Sequence, residues 1–141
     1  MKRSVLPLTI RCLLCLILIF ATTTVYSQTE KVENRYSASR FKDFHNRNQI
    51  DSIYNLFSAD MQSALPLDKA KPFLSELKTQ AGAVIRMEFK KYEGPYASYK
   101  TTFERGTFAV NIALDAAHKI NGFFVKPYED EADQGGADKN K

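Results

Sequence analysis

The apolar residues in the first half of the chain recur at helical spacing in three stretches. Residues 35–47 predict a first helix, and residues 50–65 carry one continuous apolar stripe behind the potential N-cap Asn48. A third stripe runs from the potential cap Asp68 to Gly82, where a glycine is well placed to stop a helix. The pattern therefore predicts three helices.

After Gly82 the period changes from about 3.6 residues to 2, which is typical of half-buried antiparallel strands. Four stretches follow it: "AVIRMEFKKY", "ASYKTTFER", "TFAVNIAL" and "KINGFFVKP". We expect one side of this sheet to form the core. The predicted inward residues are Ile85, Met87, Phe89, Tyr99, Thr101, Phe103, Phe108, Val110, Ile112, Leu114, Ile120 and Phe124.

The short loops between these strands fix which residues face each other, because paired residues must share a side of the sheet. All three hairpins agree with a single apolar face. The predicted pairs are Phe89 with Tyr99, Ile85 with Phe103, Glu88 with Lys100, Phe103 with Phe108, Tyr99 with Ile112, Leu114 with Ile120 and Val110 with Phe124. The fold class is therefore α+β: N-terminal helices packed on a four-stranded curved antiparallel meander.

The N-terminus has the features of a secretory signal peptide. Basic residues precede an apolar run over residues 12–21, and Val25 and Ser27 form a small-residue cleavage pair. An uncleaved membrane anchor is the alternative, but this run has ten residues and a spanning helix needs about 20. We expect residues 1–27 to be removed, and the protein to be periplasmic or extracellular with no membrane attachment afterwards.

Removing the leader changes the composition. Three of the twenty basic residues leave with it and all sixteen acidic residues stay, so the net charge falls from +4 to about +1. No basic stripe remains, and we expect no nucleic-acid partner. Both cysteines, Cys12 and Cys15, also lie in the leader. We expect a flexible lead at 28–34, a single domain at 35–128 and a disordered polar tail at 129–141.

The order of helices and strands resembles the nuclear transport factor 2-like (cystatin-like α+β cone) superfamily. "DSIYNLFSADMQSALP", "FLSELKTQAGAV" and "IALDAAHKINGFFVKP" resemble an uncharacterised secreted bacterial domain of that class over about residues 41–127. That domain often precedes a serine hydrolase of beta-lactamase type or an α/β-hydrolase. This chain ends fourteen residues after Pro127, so we expect the accessory domain without the enzyme, with an exported hydrolase as a possible partner.

The residues that remain exclude several chemistries. The chain after the leader has no cysteine, no "GxSxG" and no "SxxK", so nucleophilic hydrolysis is not expected. His45 and His118 lack paired ligand spacing and are interpreted as solvated or capping side chains rather than metal ligands. We expect no cofactor and no catalytic residue.

Isomerase or dehydratase chemistry, which some superfamily members perform, is the enzymatic alternative. It requires an acid and a partner inside the cone, and no predicted inward sheet residue is a carboxylate. Tyr54 and Tyr99 are the candidate ligand-binding residues at the cone mouth. Buried tyrosines with a satisfied hydroxyl are the common structural case.

The opposite sheet face carries an apolar strip that is a candidate interface. The strip comprises Ala109, Asn111, Ala113, Asn121, Phe123 and Val125. Many members of the superfamily dimerise through the sheet, so the resemblance implies a homodimer. We therefore expect a non-catalytic binding or accessory domain that acts through its sheet face or cone mouth, with the small enzyme and a cystatin-like protein inhibitor as alternatives.

Overall fold

The computed structural model describes residues 28–130, and the predicted signal peptide and all but the first two residues of the predicted tail lie outside this range. Within residues 28–130, four helices precede four strands. The helices are α1 (Val32–Asn46), α2 (Ile50–Tyr54), α3 (Ala59–Ala64) and α4 (Leu67–Ala81). The strands are β1 (Val84–Glu93), β2 (Tyr96–Phe103), β3 (Gly106–Leu114) and β4 (Ile120–Pro127). The predicted α+β class is confirmed.

The predicted second helix is divided into α2 and α3. Ser58 lies in extended conformation between them, and its hydroxyl accepts the Met61 N–H at 3.1 Å as the N-cap of α3. The Ser58 N–H donates to the Ile120 carbonyl and the Ile120 N–H to the Leu56 carbonyl, at 2.8 and 2.9 Å. The apolar stripe is uninterrupted in sequence, but the backbone leaves the helix here to pair with β4.

The helix starts also differ from the prediction. Asn48 has a positive φ of 57° and lies in the turn before α2, whose N-cap is Gln49. Helix α4 starts at Leu67 with Pro66 as its N-cap, so Asp68 lies in the first turn. Gly82 does end α4, with a φ of 82°. A Cβ on Gly82 would overlap the carboxylate of Glu104, which accepts the Ala83 N–H at 2.8 Å.

The sheet is open, with strand order β1-β2-β3-β4. In the first hairpin the pairs Phe89–Tyr99 and Glu88–Lys100 are confirmed. The pairing of Ile85 with Phe103 is wrong: Val84 pairs with Phe103, and Ile85 lies in a bulge with 60% of its surface exposed. A bulge adds an unpaired residue to one strand, which turns the following side chains to the other face.

The second hairpin is offset by two residues from the predicted register. Phe103 pairs with Gly106, and Tyr99 pairs with Val110 instead of Ile112. A shift of two residues keeps every side chain on its predicted face, because the side-chain period of a strand is 2. The error in this register therefore leaves the predicted core side of β2 and β3 intact.

The third hairpin begins as predicted, with Leu114 opposite Ile120, and then changes register at Asn121. Ala113 pairs with Gly122, so Asn121 is the extra residue of a bulge. Past this point the predicted faces of β4 are reversed. Phe123, not Phe124, faces the helices, and Val110 pairs with Val125 rather than Phe124.

The core lies between the concave side of the sheet and the helices, and α1 and α4 contribute Phe41 and Leu74 to it. From the sheet, Tyr99, Phe103, Val110, Ile112 and Ile120 are buried, each with 2% or less of its surface exposed. Within residues 28–130 none of the helices is both long and apolar enough to span a bilayer.

Candidate functional site

A cleft with a volume of about 400 Å³ lies between the start of α1 and the strands β1 and β2. We call it the tyrosine cleft. Its lining residues are Glu30, Arg35, Ala38, Ser39, Lys42, Arg86, Met87, Phe89 and Tyr99. This volume is at the small end of the range, about 300–1,000 Å³, that is typical of sites for small molecules.

Tyr99 forms the buried end of the cleft. It occupies an inward position of β2, opposite Phe89, and only 2% of its surface is exposed. Its hydroxyl donates a hydrogen bond of 2.8 Å to Oε1 of Glu30, which lies 69 positions earlier in the chain. A buried hydroxyl requires such a partner, because an unsatisfied donor would be costly.

Glu30 is held from a second direction by Arg35 in the first turn of α1. The Arg35 Nε lies 2.9 Å from Oε2 of Glu30. The Glu30 side chain is 14% exposed and that of Arg35 is 67% exposed, so the carboxylate lies inside the cleft and the guanidinium at its rim. The Glu30 carboxylate thus accepts one hydrogen bond from a neutral donor, Tyr99, and one from a charged donor, Arg35.

Burial raises the pKa of the Tyr99 hydroxyl well above its ordinary value of 10.0, and the hydrogen bond to Glu30 and its negative charge raise that pKa further. Arg35 opposes this shift. Tyr99 therefore stays protonated at physiological pH, and it acts as a hydrogen-bond donor rather than as a base.

The segment 28–31 is attached to β1 by hydrogen bonds. The Lys31 N–H donates to the Tyr92 hydroxyl at 2.8 Å, and that hydroxyl donates to Oδ1 of Asn34 at 3.2 Å. The Tyr92 N–H also donates to Oε1 of Gln28. Helix α1 starts at Val32, so residues 32–34 of the predicted lead are helical, and these contacts bring Glu30 into the cleft.

Two further cations stand at the rim of the cleft. Lys42 Nζ donates to the Ile85 carbonyl at 3.1 Å, and Arg86 Nε lies 3.2 Å from a carboxylate oxygen of Glu88. With Arg35 they give three positive charges around one lining carboxylate, Glu30. Met87, Phe89 and Ala38 supply apolar surface between them. The cleft therefore combines an apolar wall with a positively charged rim.

Tyr54 lies elsewhere. Its hydroxyl donates to the Gln62 carbonyl at 3.3 Å, and its ring packs edge-on against Phe57 with centroids 5.7 Å apart. Tyr54 is absent from the lining of the tyrosine cleft. The structure thus places Tyr99 in the tyrosine cleft but does not bring Tyr54 to it.

The candidate interface strip is only partly on the outer face of the sheet. Ala109, Asn111 and Ala113 lie there, and each is at least 96% buried. Asn121 is exposed in the bulge of β4. Phe123 and Val125 were predicted wrongly, because both pack against the core. Phe124, opposite Asn111, takes the outward place instead and contacts Tyr96 with ring centroids 5.0 Å apart.

Next to this strip lies a basin of about 370 Å³, whose lining includes Ser98 and Ala109, the lysines 90, 91 and 126, and the chain from Pro127 to Glu129. Lys100 lies on the same face, 3.3 Å from Oδ1 of Asp130 and 4.6 Å from the ring centroid of Tyr128. The start of the predicted tail is thus in contact with the sheet. Nearby, Oδ1 of Asn111 is buried without a hydrogen-bond partner.

The two histidines lie in different environments. His45 is buried rather than solvated, and its Nε2–H donates to the carbonyl of Gly82, the residue that ends α4, at 2.9 Å. His118 is exposed in the β3–β4 turn, with a φ of 62°. Within the described part of the chain, His, Cys, Asp and Glu form no group of three that could hold a metal ion.

Sequence reasoning named neither Glu30 nor Arg35 as a site residue, and no periodicity marks the segment before α1 that carries Glu30. A usable signal existed in Tyr99. Its predicted inward position required a partner for its hydroxyl, and no inward sheet residue nearby carried a carboxylate. The partner therefore had to come from the helices or from the segment before them.

Comparison with known proteins assigns the chain to a family without assigning it an activity. Residues 30–123 match the model of a family described as "Protein of unknown function (DUF3887)". No curated protein and no solved structure matched the chain. Since the matched range takes in Glu30, Tyr99 and more than half of the 141 residues, the chain belongs to this family of proteins of unknown function.

Proposed function

We propose that this protein is an exported, non-catalytic binding domain whose ligand enters the tyrosine cleft. One observation carries the proposal: a buried tyrosine hydroxyl and an arginine converge inside a cleft that also has an apolar wall. Ligand sites in proteins typically combine apolar surface with a few convergent polar groups. Export rests on the leader features of residues 1–27.

The resemblance to the nuclear transport factor 2-like superfamily supports the location of the site. Its cone mouth corresponds to the open space between helices and sheet, where this chain has the tyrosine cleft. The helices followed by a four-stranded antiparallel sheet are compatible with that superfamily. We accordingly favour the cone mouth over the outer sheet face, because Phe123 and Val125 of the predicted strip pack against the core instead.

The polar groups of the cleft suit binding better than proton transfer. Glu30 already accepts hydrogen bonds from Tyr99 and Arg35, and these two contacts hold its side chain in place. The raised pKa of Tyr99 keeps its proton on the hydroxyl. A general base must instead reach a substrate proton and titrate near the working pH.

A proton-transfer enzyme of isomerase type is the second candidate, and the same pair favours it. Tyr99 and Glu30 place a hydroxyl donor and a carboxylate 2.8 Å apart at the buried end of a cleft. If a substrate separated them, the tyrosine could polarise a carbonyl while the carboxylate accepted a proton. Turnover of a ketone substrate that requires Glu30 would favour this candidate over the binding domain.

The binding proposal is tested by titrating the labelled protein with cyclohexanecarboxylate and with the neutral cyclohexanecarboxamide while its amide NMR signals are recorded. At least one probe is expected to shift the signals of residues that line the cleft. Ser39→Trp should abolish those shifts, because Ser39 is an exposed α1 residue of the lining. Ser75→Trp, at an exposed position of α4, is the matched control. Absence of cleft shifts with both probes would contradict the proposal.

A further inference from the structure

Glu30 occupies the tyrosine cleft in the manner of a ligand. Its two partners, Tyr99 on β2 and Arg35 on α1, belong to helix and sheet, whereas Glu30 belongs to the non-helical segment before α1. The cleft around it has a volume of about 400 Å³. A carboxylate from the chain thus sits where a carboxylate from outside would find both donors.

We infer that the tyrosine cleft is a binding site for a small carboxylate with an apolar body, and that Glu30 occupies its carboxylate position until the ligand displaces it. This inference rests on the proposed function and names its ligand class. The ligand carboxylate accepts hydrogen bonds from the hydroxyl of Tyr99 and the guanidinium of Arg35.

The remaining lining residues favour a ligand that has an apolar body and a negative charge. Met87, Phe89 and Ala38 offer apolar contacts to its body, so a purely polar anion would leave them unused. Lys42 keeps a positive charge at the rim, whereas Arg86 is paired with Glu88. When Glu30 leaves, the cleft regains the charge that this carboxylate had neutralised. An anion is then favoured over a neutral molecule of the same shape.

Displacement of Glu30 is feasible because its attachment is local. Gln28 and Lys31 are held by Tyr92, which is not a lining residue of the cleft, so the segment remains attached when the Glu30 side chain turns away. The ion pair with Arg35 involves a guanidinium that is 67% exposed, and such pairs contribute little. Tyr99 exchanges one carboxylate acceptor for another and is not left unsatisfied.

The inference is tested by comparing the affinities of the wild type and three variants for cyclohexanecarboxylate and cyclohexanecarboxamide. Glu30→Ala should bind the carboxylate about tenfold more tightly than the wild type, because the internal competitor and its charge are gone. The amide should gain much less. Glu33→Ala removes the same charge from α1 outside the cleft, and it should leave both affinities unchanged. Adding Tyr99→Phe to Glu30→Ala should reverse most of the gain.

The outcomes separate the two proposals. Equal gains for carboxylate and amide in Glu30→Ala would overturn the carboxylate inference and leave the binding domain in place. If neither probe binds the folded wild type or folded Glu30→Ala, both the carboxylate inference and the proposed binding function are overturned. If Glu30→Ala does not fold, the NMR signal of the Arg35 Nε–H group in the wild type is measured instead. Saturating cyclohexanecarboxylate should shift this signal, and cyclohexanecarboxamide should not. An unmoved signal would overturn the inference.

Discussion

The rings of Phe123 and Phe41 lie with their centroids 5.0 Å apart, and this contact joins the last strand to the first helix. Phe73 on α4 approaches Phe123 edge-on, at 6.2 Å between centroids. Phe124, the residue after Phe123 in β4, points to the opposite face of the sheet and contacts Tyr96. Two adjacent phenylalanines of one strand thus have different environments.

Truncating each of these phenylalanines should have unequal effects. Phe123→Ala should lower the free energy of unfolding by about 2–4 kcal/mol, because it leaves a cavity between β4, α1 and α4. Phe124→Ala should lower it by about 1 kcal/mol or less, as is usual for surface changes. Chemical denaturation of both variants measures the difference. Equal losses would contradict the bulge at Asn121.

The stability of the protein should fall as the pH drops below about 6.5. Burial lowers the pKa of His45 from its ordinary 6.5; the nearby Lys78 also lowers it, and the hydrogen bond to Gly82 opposes both. The unfolded chain therefore takes up a proton that the folded domain does not, and this favours unfolding in acid. Urea denaturation between pH 7.5 and 5 should show this loss.

Two histidine variants identify the source of that pH dependence. His45→Gln should lower stability overall but flatten its decline towards pH 5, since the titrating group is gone. His118→Gln, at an exposed turn position, should retain the wild-type slope. A wild-type slope in His45→Gln would assign the effect to other groups.

The hydrogen bond between Tyr99 and Glu30 should be measurable as a coupling energy. Tyr99→Phe and Glu30→Gln each alter a bond between a buried hydroxyl and a carboxylate, so a double-mutant cycle should give about 1–2 kcal/mol at pH 7. The Glu30→Gln arm retains an acceptor and thus reports mainly on the charge. Purely additive effects on unfolding would indicate that the two side chains do not interact in solution.

Replacing Gly82 by alanine should destabilise the protein more than replacing Gly94. Both glycines have a positive φ, which costs roughly 1–2 kcal/mol for other residues. Only Gly82 also has Glu104 against its backbone, while a Cβ on Gly94 meets no atom within 4 Å. Thermal unfolding of both variants should therefore show the larger drop for Gly82→Ala. A larger drop for Gly94→Ala would refute this account of the junction.

We predict that the chain is exported and that its mature form begins at Gln28, because Val25 and Ser27 form the small-residue pair of a cleavage site. N-terminal sequencing after expression in a Gram-negative host gives the answer. An intact Met1, or a lipid attached to Cys12 or Cys15, would contradict cleavage at this point.

The sequence by itself determined the types of the elements and most of the core. Helical and strand periods are local properties, and a sheet that buries one face must carry alternating residues. That is why Tyr99, Phe103 and Val110 were placed inside correctly, even though the register of the β2–β3 hairpin was offset by two residues. An even offset does not change the face.

Tertiary structure decided the features that depend on a single residue or on distant partners. The bulges at Ile85 and Asn121 each add one residue, which reverses the following face of a strand, and the residue period does not reveal them. The break between α2 and α3 arises because backbone groups around Ser58 pair with Ile120.

The tyrosine cleft depends on the same kind of information. Tyr99 could be placed inside from the alternation of its strand, but its partner is 69 positions away in a segment without periodicity. Glu30 reaches the cleft because the residues around it bond to Tyr92 on β1. Contacts between distant segments form only when helices and sheet have packed, so local sequence patterns do not encode them.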